Sequence, residues 1–159
     1  MARAGTLAGL ISAGFVACHD KDETAPKVSA DDEKRRDADS LASALEADDA
    51  LDRLLKQADD LSSKGSDTAA AALLDDKAQG AATVALARAE ALEAKTAWGK
   101  EHKDRLVKLI GDRKAEVPRY AAALRSGDFE ARLDVLQKQV EQEKRALDLA
   151  NEIRAAKGG

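Results

Sequence analysis

The sequence predicts an all-α protein, either an antiparallel helical bundle or extended helical hairpins with coiled-coil-like packing. The first observation is composition: alanine, leucine, glutamate, lysine and arginine supply over half of the 159 residues, with only two prolines. These residues lose little side-chain freedom in a helix. The second is a seven-residue repeat of apolar positions, and the third is a set of short glycine- and serine-containing links between long segments.

The first helix is predicted over 30–63. Ser29 is placed to cap it, and acidic residues at 31–33 complement the helix dipole in its first turn. Gly65 follows the helix and is expected to adopt the left-handed conformation that ends it. Small and apolar residues recur at alternating spacings of four and three, which predicts a coiled-coil seam: Ser40, Ala44, Ala47, Leu51, Leu54, Ala58 and Leu61.

The middle of the chain admits two interpretations. An apolar face that starts at Leu74 stays in phase as far as Leu124, which favours one helix from about 67 to Val117 or beyond. The alternative is a turn at 98–102, with separate helices over 67–98 and 100–125. A lone Gly99 costs a helix only ~1 kcal/mol, so the unbroken helix is favoured.

The last helix is predicted over 128–156, after a clear stop at 125–128. Its core-facing stripe is expected to be Phe129, Leu133, Leu136, Val140, Leu147 and Ala150, interrupted by Glu143. Four segments of similar length with short links predict an up-down-up-down bundle. An unbroken central helix would instead pack the first and last helices on its two halves.

The N-terminus has a composition of its own. One arginine precedes the apolar segment 4–17, which is shorter than the roughly 20 residues that a bilayer-spanning helix needs and has the length of a signal-peptide core. It ends in Phe15-Val16-Ala17-Cys18 and then changes abruptly to charged residues. This stretch resembles the lipobox of bacterial lipoproteins, although Phe15 stands where that family usually has leucine.

The resemblance implies a sequence of processing steps. The signal peptide 1–17 would be cleaved between Ala17 and Cys18, and Cys18 would become the lipidated first residue of the mature chain. Residues 18–29 would form a flexible tether to the helical domain 30–156. Several acyl chains would hold the protein on the membrane stably, facing the periplasm. By the family's sorting rule, His19 after the cysteine, rather than aspartate, implies the outer membrane.

The rest of the sequence shows no pattern typical of a catalytic, cofactor-binding or metal site. The net charge is −4 with both signs interspersed, which disfavours nucleic-acid binding because phosphates require clustered lysine and arginine. No Ser/His/Asp or Cys/His set, phosphate loop or metal-ligand spacing occurs. We therefore expect no enzyme, cofactor or metal. We expect His102 to be a solvated or rim residue and the acidic doublets to lie on solvated helix faces. Trp98 is either a partner contact or a cover over the thin part of the core.

Two functions remain. The first is a lipid-anchored, non-enzymatic scaffold or interaction module of the cell envelope, which binds a protein partner or a second copy through its helix faces. The alternative is a periplasmic helical carrier or chaperone-like binder of an apolar ligand or client protein.

Overall fold

The structure, a computed structural model, describes residues 29–158, so the predictions on the signal peptide and most of the tether lie outside the described residues. Four helices account for nearly all of this range: α1 is Ala30–Ser63, α2 spans 67–90, α3 is Ala97–Ser126 and α4 is Phe129–Gly158. Helix α2 contains a π-helical turn, Leu74–Ala78, between Asp67–Leu73 and Gln79–Glu90. The predicted all-α fold is confirmed.

Capping residues lie at the helix ends, with Ser29 and Gly65 in their predicted roles. Ser29 accepts a hydrogen bond from the backbone N–H of Asp32 at 3.1 Å, and Asp128 accepts one from the N–H of Ala131 at 3.0 Å. Gly65 and Gly127, in the links after α1 and α3, have φ angles of 77° and 67°. Glycine reaches this left-handed region without a steric penalty, so each link reverses the chain sharply.

The helices form a four-helix bundle. Each packs on two neighbours, in the cyclic order α1, α2, α3, α4, and α1 and α3 also touch across the centre. The buried face of α2 is alanine apart from Leu74: Ala70, Ala71, Ala78, Ala82, Ala85 and Ala89. Such small side chains let helix axes approach closely, so α2 lies tight against α1 and α3. Within residues 29–158 no helix has the length and apolar character required to cross a bilayer.

The core has two halves separated by a polar layer. One half lies around Leu51, Leu74 and Tyr120, and the other around Leu41, Ile110 and Leu149. Between them α1 contributes Asp48, α3 contributes Arg113 and α4 contributes Gln142, each at most 4% exposed. Burying charged and amide groups costs free energy unless they are paired, so this layer has to be held by specific contacts.

The helical structure is interrupted between α2 and α3, at 91–96. The favoured prediction of an unbroken helix is therefore wrong, and the alternative placed the turn too late. Thr96 caps α3 by accepting a hydrogen bond from the N–H of Gly99 at 2.9 Å. Lys103 reaches back to the carbonyls of Glu90 and Leu92, at 2.8 and 2.6 Å, and so caps the end of α2.

Asp37 holds the same link from α1. Its carboxylate accepts hydrogen bonds from the N–H of Lys95, and from the N–H and hydroxyl of Thr96, at 2.6–3.2 Å. A Cβ added to Gly99 would lie 2.2 Å from this carboxylate. The glycine is thus required by the close approach of Asp37, and it marks the first turn of α3.

The seam of α1 has the predicted period but a different phase. Ala44, Leu51 and Ala58 are buried as predicted, whereas Ser40 is exposed and the other predicted positions are partly buried. Apart from Ala38, which is also buried, the buried set follows the same four-three spacing through polar residues: Asp37, Leu41, Ala44, Asp48, Leu51, Leu55, Ala58 and Ser62. Apolar spacing alone does not reveal this phase because three of its members are polar.

Helix α3 continues through Pro118, although a proline inside a helix removes one backbone donor and crowds the preceding turn. Pro118 is exposed. The carbonyl four residues earlier, which loses its N–H donor, can therefore take water instead.

Candidate interaction surface on helix α4

Helix α4 buries a different face from the one its sequence predicts. Its buried residues are Val135, Gln142, Leu149 and Ile153. The predicted core residues lie outside: Phe129 is 68% exposed, Leu133 42%, Val140 66% and Leu147 60%, while Leu136 and Ala150 are partly buried. The prediction of the core face is therefore wrong, because α4 carries two apolar stripes and the bundle uses the other one.

The exposed residues Phe129, Leu133, Val140 and Leu147, together with the partly buried Leu136 between them, are called the α4 stripe below. They follow spacings of four, three, four and seven, which is the geometry of a helix-packing seam. Four of the five exposed large apolar side chains among the described residues belong to it, and Val84 on α2 is the fifth. A contiguous exposed apolar patch is typical of an interaction surface, whereas isolated apolar residues are not.

A groove runs beside the stripe, between α1 and α4. One section has a volume of about 600 Å³, with an apolar floor of Ala42, Leu45, Ala150 and Ile153. Its α1 rim carries Glu46 and Asp49, and its α4 rim carries Arg154 and Lys157. A second section of about 350 Å³ shares Leu45 and Ala150 and extends to Leu147. The groove and the stripe therefore form one continuous surface.

The polar layer lies at the inner wall of the second section. Arg113 donates a hydrogen bond to Asp48, and its other terminal nitrogen is 3.8 Å from Asp52. One oxygen of Asp48 and the Nε of Arg113 have no partner. Burial raises the pKa of Asp48, and the positive charge of Arg113 opposes that rise. The pair joins α1 to α3 at the centre of the bundle.

Tyr120 and Asp59 make a second polar contact between α1 and α3. The hydroxyl of Tyr120, a residue only 1% exposed, donates a hydrogen bond to the Asp59 carboxylate. Burial raises the pKa of Asp59, and this hydrogen bond opposes the rise. The prediction that the acidic doublets are solvated is therefore wrong for one member each of 48–49 and 59–60.

Trp98 and His102 close the opposite end of the bundle. Trp98 is partly buried against the core, its ring stacks on His102 with a 4.0 Å centroid distance, and Lys34 lies 5.2 Å over it. His102 is 4% exposed and lies between the Trp98 carbonyl and Glu152. The expectation of a solvated His102 is thus wrong, and Trp98 takes part in packing whether or not it also meets a partner.

Glu152 connects α4 to α3 at this end. It accepts hydrogen bonds from Arg105 and, at 2.9 Å, from His102. The hydrogen bond from Arg105 lowers the pKa of Glu152 to about 2, against an opposing effect of burial. The buried histidine therefore links α3 to α4 through Glu152.

Cys18 and Ala17, the predicted lipidation and cleavage residues, lie outside the described residues. Over 29–158, no three histidine or acidic side chains come together in a way that could hold a metal ion. Comparison with protein-family models, curated proteins and solved structures finds no match to this chain.

Proposed function

We propose that this chain is a lipid-anchored protein of the bacterial cell envelope that acts as a non-enzymatic helical interaction module. The observation that carries the proposal is the α4 stripe. A helix that served only the fold would need one apolar face, and α4 presents a second one to solvent along about 19 residues, or ~28 Å of helix. The occupant of such a face is another protein surface.

The sequence supports the anchor. The Phe15-Val16-Ala17-Cys18 stretch resembles a lipobox, and His19 favours the outer membrane, with the bundle facing the periplasm. Radiolabelled palmitate should enter the native protein and not a Cys18→Ala variant. Label that persists in the variant, or never enters the native chain, would show that Cys18 is not an anchor.

The interaction surface has a separate test. A photo-reactive amino acid at Val140 should give cross-linked products in intact envelopes, while the same residue at Val84 should not. Val84 is a matched control because it is an apolar residue 54% exposed, on α2, away from the stripe. Equal cross-linking yields at the two positions would show that the stripe is not a preferred contact surface.

The groove favours a second candidate, a periplasmic carrier or chaperone-like binder of an apolar ligand or client protein. Its first section is large enough for part of an acyl chain or an apolar peptide segment, and its floor is aliphatic. Under this function, a fluorescent fatty acid should bind the purified protein, and Leu45→Arg should abolish binding. Failure of the native protein to bind such probes would exclude the carrier function, and the interaction module would stand as the proposed function.

A further inference from the structure

The α4 stripe has nearly the apolar area that one partner contributes to a stable protein interface. With roughly 150–200 Å² for each large side chain, the exposed fractions of Phe129, Leu133, Val140 and Leu147 give about 400 Å² of apolar surface. Two copies would bury about 800 Å². A standard interface of ~1,600 Å² buries roughly 900–1,000 Å² of apolar area, so two stripes nearly suffice without any other partner.

We propose that the α4 stripe binds the α4 stripe of a second copy of this chain, in an antiparallel, two-fold symmetric pair. The pairing rests on the proposed interaction-module function and names the partner. It does not depend on the lipid anchor. A symmetric pair uses the same surface twice, so the stripe must be complementary to itself. The spacing of its residues allows this.

One antiparallel register aligns the apolar positions. Phe129 then faces Leu147 of the second copy, and Leu136 faces Val140, each contact occurring twice. The same register brings Glu130 opposite Lys144, both exposed and on the flank of the stripe away from α1. Opposite charges at such flanking positions favour the pairing and its orientation.

The groove accommodates the end of the second helix. In this register Phe129 of the second copy reaches Leu147, which lines the groove section that also contains Leu45 and Ala150. The aromatic ring, the most exposed member of the stripe, would pack on the apolar wall of that section, beside its charged residues. The weakest layer is the one that sets Leu133 against Glu143, since a carboxylate gains nothing there.

The first test is the mass of the full chain in solution. A Cys18→Ser background removes the chain's only cysteine and keeps the result independent of lipidation. Sedimentation equilibrium should show a monomer–dimer equilibrium, and Val140→Asp should weaken it by about 100-fold because both copies lose a buried valine. Val84→Asp, the matched control, should leave the dimer unchanged, and circular dichroism should show both variants folded.

The second test is the orientation. In the same background, Phe129→Cys and Leu147→Cys proteins should form an interchain disulfide when mixed, and neither should form one alone. A parallel pair would give the opposite result, with each variant linking to itself. Self-linkage, a native chain that stays monomeric at high micromolar concentration, or a dimer that Val140→Asp does not weaken would each overturn the proposal.

Discussion

Removal of the Asp37 carboxylate should destabilise the bundle more than any surface change on α1. Asp37 is 4% exposed and accepts hydrogen bonds from three donors in the link between α2 and α3. A hydrogen bond to a charged group contributes about 1.5–3 kcal/mol. The donors are only part-buried, so water replaces some of this, and we expect Asp37→Ala to cost about 3 kcal/mol.

The matched control lies two residues along the same helix. Asp39 also makes one ion pair, with Lys157 at 3.0 Å, but its side chain is 65% exposed. Solvent-exposed pairs contribute ~0–1 kcal/mol, so Asp39→Ala should change the free energy of unfolding by less than that. Urea denaturation at pH 7, followed by circular dichroism, measures both variants. Equal effects of the two substitutions would refute the role of Asp37 in holding the link.

The pH dependence gives an independent readout. Burial would raise the pKa of Asp37, but the hydrogen bonds from Thr96 and Lys95 outweigh it and hold the pKa below its usual 3.8. A carboxyl with a lowered pKa in the folded state stabilises the fold above its unfolded pKa, and this contribution is lost as the pH falls through the folded value. Asp37→Ala should therefore lose less stability than the native protein between pH 4 and pH 2.

Three further contacts can be tested by substitution, each followed by urea denaturation. Gly99→Ala should cost about 2–3 kcal/mol because its Cβ displaces the capping carboxylate, whereas Gly111→Ala, with nothing within 4 Å of the new Cβ, should gain about 0.5–1 kcal/mol; a gain at both positions would contradict the close approach. Arg113→Met should cost about 3–5 kcal/mol by stranding a buried carboxylate, and adding Asp48→Leu should restore most of it; additive losses would argue against a coupled pair. Glu152→Gln should remove stability that the native protein loses as the pH falls from 4.5 towards its folded pKa of about 2, so identical pH profiles would exclude that contribution.

The sequence was sufficient for local structure. Helix α1 begins and ends where 30–63 was predicted, because Ser29 and Gly65 are strong end signals. The links after α1 and α3 followed from Gly65 and Gly127, whereas the break between α2 and α3 did not follow from the sequence. The features that followed depend on residues within a few positions of each other, which sequence displays directly.

Which face of each helix is buried could not be predicted from the sequence in the same way. The α1 seam includes Asp37, Asp48 and Ser62, whose burial is compensated by partners on other helices or after the next link. A partner 65 residues away, as Arg113 is for Asp48, leaves no local signal. The apolar spacing therefore favours the neighbouring phase, in which Ser40, Ala47, Leu54 and Leu61 stand in place of Leu41, Asp48, Leu55 and Ser62.

The candidate surface was hidden by a similar ambiguity. Helix α4 has one stripe with Phe129 and Val140 and another with Val135 and Leu149, and each is interrupted by a polar residue. The more apolar stripe was assigned to the core, and the fold places it outside. The break at 91–96 was missed because its stretch contains no proline, glycine or asparagine, and the contacts that hold it come from Asp37 and Lys103.

A photo-crosslinking scan along α4 tests directly whether the α4 stripe contacts a partner. A photo-reactive residue is placed in turn at positions 129–150 of the full chain in the cells that produce it, and the yield of cross-linked product is measured at each position. An interaction module that uses the α4 stripe predicts maxima at Phe129, Leu133, Leu136, Val140 and Leu147, with minima at solvent-facing positions between them. A flat profile, or maxima displaced from the stripe, would contradict the account.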